Sequence, residues 1–312
     1  MGMKMMVAGI NELYATRNLN LALLMRNLSI FFLASIVLLS TKTYSQKTDT
    51  LVLRDIAWDE TSPAGMSELF IPSKGSIMQG FIYKANGMGK HPTLLLLHGY
   101  PGNERNLDLA QVVRAHGWNV IYFNYRGSWG SQGTFSFANA VEDVKNVITY
   151  CKGNTDRFQI DTTNIILFGH SMGGWVCLKA LQQLPSIKKG FALSTWDIAS
   201  DFKNAKTKQQ MLAIATNEAI VGPHYFVLNP PVEKIFQPVI TMRTFYDLRN
   251  DGKAVASKQI IMLDEHNGNK QIAEAFQKSN SNFFQYEVWQ TDHSFTNKRV
   301  ALMKKLLAFL DR

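Results

Sequence analysis

Two cysteines in 312 residues are too few for a disulfide-stapled scaffold. Cys151 and Cys177 fall in separate helical stretches, so two buried free thiols are expected rather than a bridge. There is no C-x-x-C pair and no His/Cys spacing suited to a metal, so no metal site is expected. No apolar run reaches the roughly 20 residues of a transmembrane helix. Repeats and low-complexity tracts are absent too. What is present is 46% hydrophobic residues against 18% charged, enough for a sizeable globular core. The net charge of +9 is scattered, with only short pairs such as Lys188-Lys189 and Lys304-Lys305. Solvated helix ends account for these, and nucleic acid is not an expected partner.

The longest apolar run, Leu28 to Leu39, follows Arg26 and precedes the small residues of Thr43-Tyr44-Ser45. That is the layout of a secretory signal peptide cut before Gln46. Residues 1–45 are therefore read as a signal, with Met25 as the suspected true start. Lys4, Arg17, Arg26 and Lys42 against Glu12 carry a third of the formal charge away with it. No cysteine near the cut supports a lipid anchor. The expectation is an exported protein, periplasmic or secreted, with no stable membrane anchor after cleavage.

Residues 46–312 open with three predicted strands at 51–58, 67–72 and 76–84, separated by turn residues and suited to antiparallel pairing. Then the rhythm changes. Nearly continuous apolar strands at 93–99, 119–125, 164–169, 190–195 and 259–263 alternate with helical stretches at 104–116, 138–151 and 270–278. A last strand at 283–289 and an amphipathic helix at 298–310 close the chain. Such alternation predicts an α/β fold with a mostly parallel sheet covered on both faces. The stretch at about 197–257 is too long for an ordinary connection and reads as a cap inserted over the sheet's carboxyl edge.

Gly169-His170-Ser171-Met172-Gly173 sits where a buried strand turns into a helix. Small residues flank the serine because a Cβ there would collide with the neighbouring backbone, and the hydroxyl is held over a helix N-terminus. Ser171 is the candidate nucleophile. A serine hydroxyl needs a base, and the base needs an orienting partner. In the chain order of this fold both follow the serine, which sets aside His91, His98, His116 and His170. His293, in the loop before the last helix, is the candidate base, ahead of His224 and His266. The acid should follow the strand at 259–263, where the sequence is Asp264-Glu265-His266-Asn267. Asp264 is favoured, Glu265 is the alternative and Asp197 a further option. Asp292 is poor because a sequence neighbour rarely points along the imidazole Nδ1. The oxyanion donors are expected to be the backbone N–H groups of Met172 and of Tyr100, in the loop His98-Gly99-Tyr100-Pro101-Gly102. Arg126 is expected to anchor its loop through a buried carboxylate, and Trp129 either walls the pocket or packs.

HGYPGNERN, FNYRGSWGSQG, GHSMGG and DHSF, in this order over roughly residues 75–312, resemble the α/β-hydrolase superfamily. Within it they look closest to the catalytic domain of prolyl oligopeptidase-like peptidases and their small esterase relatives. The resemblance implies an α/β-hydrolase fold with Ser171 as nucleophile, His293 as base, and Tyr100 and Met172 as oxyanion donors. The acid loop departs from the family pattern, and the chain leaves no room for the propeller of true prolyl oligopeptidases. The expected activity is hydrolysis of an ester or amide in a small-molecule or peptide substrate, without a cofactor. Aromatic residues of the cap (Tyr225, Phe226, Phe236, Phe245, Tyr246) lean towards a hydrophobic acyl or aromatic substrate. An acyltransferase or a catalytically silent binding protein are the alternatives.

Overall fold

Eight strands hydrogen-bond into one sheet in the order β1-β2-β4-β3-β5-β6-β7-β8. They are β1 (Gly65–Ser73), β2 (Ser76–Lys84), β3 (His91–Leu97), β4 (Asn119–Phe123), β5 (Ile160–His170), β6 (Lys189–Leu193), β7 (Gln259–Asp264) and β8 (Phe284–Val288). The computed structural model describes residues 55, 58–217, 225–250 and 252–311. The signal segment and nearly all of the strand expected at 51–58 lie outside these residues, as does His224.

The first two strands form an antiparallel hairpin, and β2 runs antiparallel to β4. Every later pairing is parallel. The hairpin turn falls on Lys74 and Gly75, both at positive φ, the backbone that a tight turn between right-twisted strands requires. The all-apolar strands take the central places because they are covered on both faces: β4 is buried at all five positions.

The helices divide between those faces. On one, α2 (Phe137–Gly153), α3 (Met172–Gln183) and α6 (Lys270–Ser279) pack over Leu95, Ile121, Leu167, Ala192 and Met262. On the other, α1 (Leu107–Ala115) and α7 (Arg299–Leu310) cover Leu94, Val120, Phe168, Leu193 and Leu263. Consecutive strand residues point to opposite faces, so each strand feeds both clusters. α2 starts where Ser136 accepts a hydrogen bond from the Asn139 N–H, a standard N-cap. Both cysteines are buried free thiols, Cys151 on α2 and Cys177 on α3.

After β3 the chain crosses to β4 on one side and later returns to β5 on the other. The strand order reverses there, leaving a crevice at the carboxyl ends of β3 and β5, where such sheets bind ligands. The stretch between β6 and β7 supplies α4 (Lys208–Ala215) and α5 (Val232–Thr241). Its Phe202, Ile235, Phe236, Val239 and Tyr246 are buried in the same core as Phe137 and Trp175.

Candidate active site

Ser171 is the single residue between β5 and α3, with φ 60° and ψ −120°. That backbone is costly for a residue with a Cβ, and the surrounding structure enforces it. The Ser171 N–H donates to the Leu193 carbonyl (2.9 Å), and the Ser171 carbonyl accepts from Trp196 N–H (3.1 Å). The flanking glycines have no alternative. A Cβ on Gly169 would lie 1.9 Å from the Gly173 carbonyl oxygen, and one on Gly173 would lie 1.9 Å from that of Leu97. Gly99, in the loop after β3, also approaches: a Cβ there would sit 3.1 Å from the Ser171 Cβ. Met172 opens α3, and the first-turn N–H groups of a helix have no carbonyl one turn earlier to bond. Thus the Met172 backbone and the loop carrying Tyr100 both border the serine.

His293 lies in the loop between β8 and α7. Asp292 shapes that loop, its side chain accepting from Thr296 N–H (2.7 Å) and its carbonyl from Phe295 N–H (3.0 Å). Phe295 then plugs the loop into the core beneath α7.

The carboxylate on the imidazole is Glu265, not the favoured Asp264. His293 Nδ1–H donates to Glu265 Oε1 at 2.8 Å. The reason is strand parity. Glu265 is the next residue after β7 and continues on the face of Leu263, under α7 and the His293 loop. Asp264 continues on the opposite face, fully buried, accepting from Thr195 N–H (3.2 Å) and Asn269 Nδ2 (3.1 Å). The two differ electrostatically as well. Burial raises Asp264 to about 6, and the hydrogen bonds from Asn269, Thr195 and Tyr286 only partly offset it. Burial would raise Glu265 too, but donation from His293 and Ser194 outweighs it and pulls this group down to about 2. Asp197, the further option, instead caps a short helical turn and pairs with Arg249 Nη1 at 2.9 Å.

Three participants escape a chain-order search. Ser194, at the end of β6 with φ 45°, donates its hydroxyl to Glu265 Oε2 at 2.5 Å. His170 donates from Nε2 to the His293 carbonyl at 2.8 Å, and Asn106 reaches the other side of the His170 ring. The signal for Ser194 was its place at a strand's carboxyl end. His170 was set aside as a base, and its supporting role carries no motif.

Other expectations find their places. Arg126 is buried, its Nε bonded to Asp143 at 2.6 Å and its Nη2 to Glu142 at 2.7 Å, so it anchors its loop. Trp129 packs, donating its indole N–H to the Pro101 carbonyl at 2.6 Å. His266 is turned to its own loop, where Nδ1 accepts from Gly268 N–H.

A cavity of about 420 Å³ opens over these groups, lined by Tyr100, Ser171, Trp196, Asp201, Glu265 and His293 among others. Of the cap aromatics, Phe226, Phe236, Phe245 and Tyr246 do not line it. Phe236 and Tyr246 are buried in the core, Phe245 packs against Trp175, and Phe226 is 85% exposed. No aliphatic side chain among the described residues reaches the cavity, whose hydroxyls and carboxylates share the wall with the rings of Tyr100, Trp196, His266 and His293. The lean towards a hydrophobic substrate therefore loses its support from Phe236, Phe245 and Tyr246, which fasten the cap to the core. Among the described residues no cluster of His, Cys, Asp and Glu could hold a metal ion.

Strand order, the strained serine and the glycine contacts around it together define the α/β-hydrolase fold, and this chain has it. The family model described as the alpha/beta hydrolase fold matches residues 92–218. Among curated relatives, the uncharacterized protein RP471 of Rickettsia prowazekii is 31% identical over 110 residues, 33% of this chain and 44% of that one. The lysophosphatidylserine lipase ABHD12 of Rattus norvegicus is 29% identical over 97 residues, 30% of this chain and 23% of that one. The chain thus spans less than half the length of these relatives. Among solved structures, the Pyrococcus furiosus esterase Pf2001 superposes with a TM-score of 0.54 at 16% identity, covering 82% of this chain and 96% of that one.

Proposed function

We propose that the protein is a serine hydrolase that cleaves an ester or amide bond through an acyl-enzyme. The observation that carries this reading is the Glu265–His293 hydrogen bond at 2.8 Å, over a cavity that Ser171 also lines. With Nδ1–H given to Glu265, the His293 tautomer leaves Nε2 with a lone pair, as a general base requires. Ser171 Oγ attacks the substrate carbonyl carbon as His293 Nε2 takes its proton. Negative charge on the carbonyl oxygen is met by the N–H groups of Met172 and Tyr100. Collapse of the tetrahedral intermediate expels the leaving group, which takes the proton back from His293. Water, activated by the same imidazole, then releases the acyl group. Glu265 holds the ring and stabilises the imidazolium between these transfers.

The polar wall of the cavity favours a compact, polar acyl substrate over a long hydrocarbon chain. The N-terminal signal pattern supports an exported setting, periplasmic or secreted, for this activity. The silent-binder alternative rested on an irregular acid loop, and a carboxylate at His293 Nδ1 removes that support.

The test is labelling of the purified protein with a fluorophosphonate probe beside Ser171→Ala and Glu265→Ala. Labelling that vanishes with Ser171→Ala and slows with Glu265→Ala is expected. A folded wild-type protein that does not label would overturn the reading.

A further inference from the structure

His170 occupies the variable position of the serine motif, is 2% exposed, and does not line the cavity. Its hydrogen-bond partners nevertheless converge on His293. Arg299, on the first turn of α7, spans Asp108 Oδ2 (2.8 Å from Nε), Asn106 Oδ1 (3.1 Å from both Nη1 and Nη2) and the Ser294 carbonyl (3.1 Å from Nη1). A guanidinium only donates, so the Asn106 amide must present its oxygen to Arg299. Its Nδ2 is thereby turned to His170 Nδ1, at 3.4 Å. That nitrogen must then be the acceptor, and the single proton of a neutral His170 sits on Nε2, 2.8 Å from the His293 carbonyl. Each orientation in the chain follows from the one before it.

The tether bears on His293 because few contacts reach that residue itself: Ser194 Oγ also donates to its carbonyl, at 3.4 Å, while Asp292 and Arg299 hold its neighbours. Its side chain is 56% exposed and its loop lies outside any regular element. Glu265 holds the ring at one nitrogen, and the His170 ring lies 4.9 Å from the His293 ring, centroid to centroid. Burial, with the neighbouring His293 adding to it, lowers His170 to about 4, so it stays neutral across the working range and the tautomer is not lost.

We propose that His170, set by Asn106 and Arg299, is a positioning residue that fixes the His293 loop through its main-chain carbonyl. This rests on the serine-hydrolase reading above. A misplacement of a catalytic group by an ångström costs on the order of 100-fold in rate.

The test compares His170→Met with His170→Gln, side chains of similar length that differ in an N–H donor, using hydrolysis of p-nitrophenyl acetate and thermal melting of each variant. His170→Met is expected to lower kcat about 100-fold with KM changed less than about threefold, and His170→Gln to recover about tenfold of that. Arg299→Met, which is remote from the cavity, should lower kcat in the same way. The double variant should fall less than the product of the two losses, because the two residues hold one loop at neighbouring carbonyls. Wild-type kcat in folded His170→Met, equal losses in Met and Gln, or losses that multiply in the double variant would each overturn the proposal. If His170→Met does not fold, Asn106→Asp decides, since it keeps the acceptor for Arg299 and removes the donor to His170 Nδ1: reduced kcat at unchanged KM supports the tether, and unchanged kcat overturns it. A wild-type protein that hydrolyses the ester while His170→Met matches it overturns this inference alone. A wild type that neither hydrolyses nor labels overturns the hydrolase reading and this proposal with it.

Discussion

Replacing Glu265 by Gln removes one charge and little volume, so it isolates what the carboxylate does for His293. The acid is held at about 2 against an ordinary value of 4.5, with burial working the other way and His293 and Ser194 as donors. That difference corresponds to about 3 kcal/mol in favour of the charged form. Were His293 alone to feel it, the loss of imidazolium stabilisation would be about 300-fold in rate. Ser194 carries a share, so kcat for Glu265→Gln is expected to fall about 100-fold. The Gln oxygen can still accept from Nδ1–H, and KM should change little. Asp264→Ala is the control. Its carboxyl holds Thr195 and Asn269 on the other face of the sheet, so its variant should melt earlier yet retain kcat within about fivefold. Initial rates on p-nitrophenyl acetate, normalised to folded protein by circular dichroism, read both. The reasoning fails if folded Asp264→Ala loses turnover while Glu265→Gln keeps it.

Gly173→Ala should not give soluble folded protein, because its Cβ would lie 1.9 Å from the Leu97 carbonyl oxygen, which is main chain and cannot swing aside; expression with size-exclusion chromatography checks this. Stability should also depend on Glu265 with a definite sign. Its folded pKa is below the unfolded one, so its contribution is present above pH 4.5 and disappears as pH falls through about 2. The stability gap between wild type and Glu265→Gln, measured by urea unfolding, should be on the order of 1 kcal/mol at pH 7, solvent around the exposed His293 screening much of the pair, and should narrow steadily below pH 4.5. A gap that grows on acidification would contradict this assignment.

How much of this was legible in the chain differs by residue. The apolar strands and helical spacings located β2, β7 and α6 to within a residue or so, because burial on two faces leaves a plain pattern. Ser171 and His293 were picked out by strand order, and the structure brings both to the lining of one cavity. The acid was misjudged between adjacent residues. Asp264 and Glu265 are chemically alike, and only the alternation of β7, counted from Leu263 beneath α7, separates them. The cap aromatics were misread because a hydrophobic side chain in an inserted segment looks the same whether it faces a ligand or the core. His170, Asn106 and Arg299 come from three distant stretches whose meeting depends on the closed fold. Ser194 could have been suspected from its place after an apolar strand.

The anchoring of the segment between β6 and β7 has a consequence for how substrate enters. Phe202 stacks on Phe236 at 5.2 Å, Phe236 meets Phe137 at 5.3 Å, and Tyr246 lies flat on Trp175 at 5.6 Å. A lid that swings on each turnover must shed its contacts cheaply, and these rings are part of the same interior that holds α2 and α3 to the sheet. The described residues around these rings behave as a keel rather than a door. On the serine-hydrolase reading, substrate would then meet an opening beside Trp196 and Asp201 whose shape these rings hold.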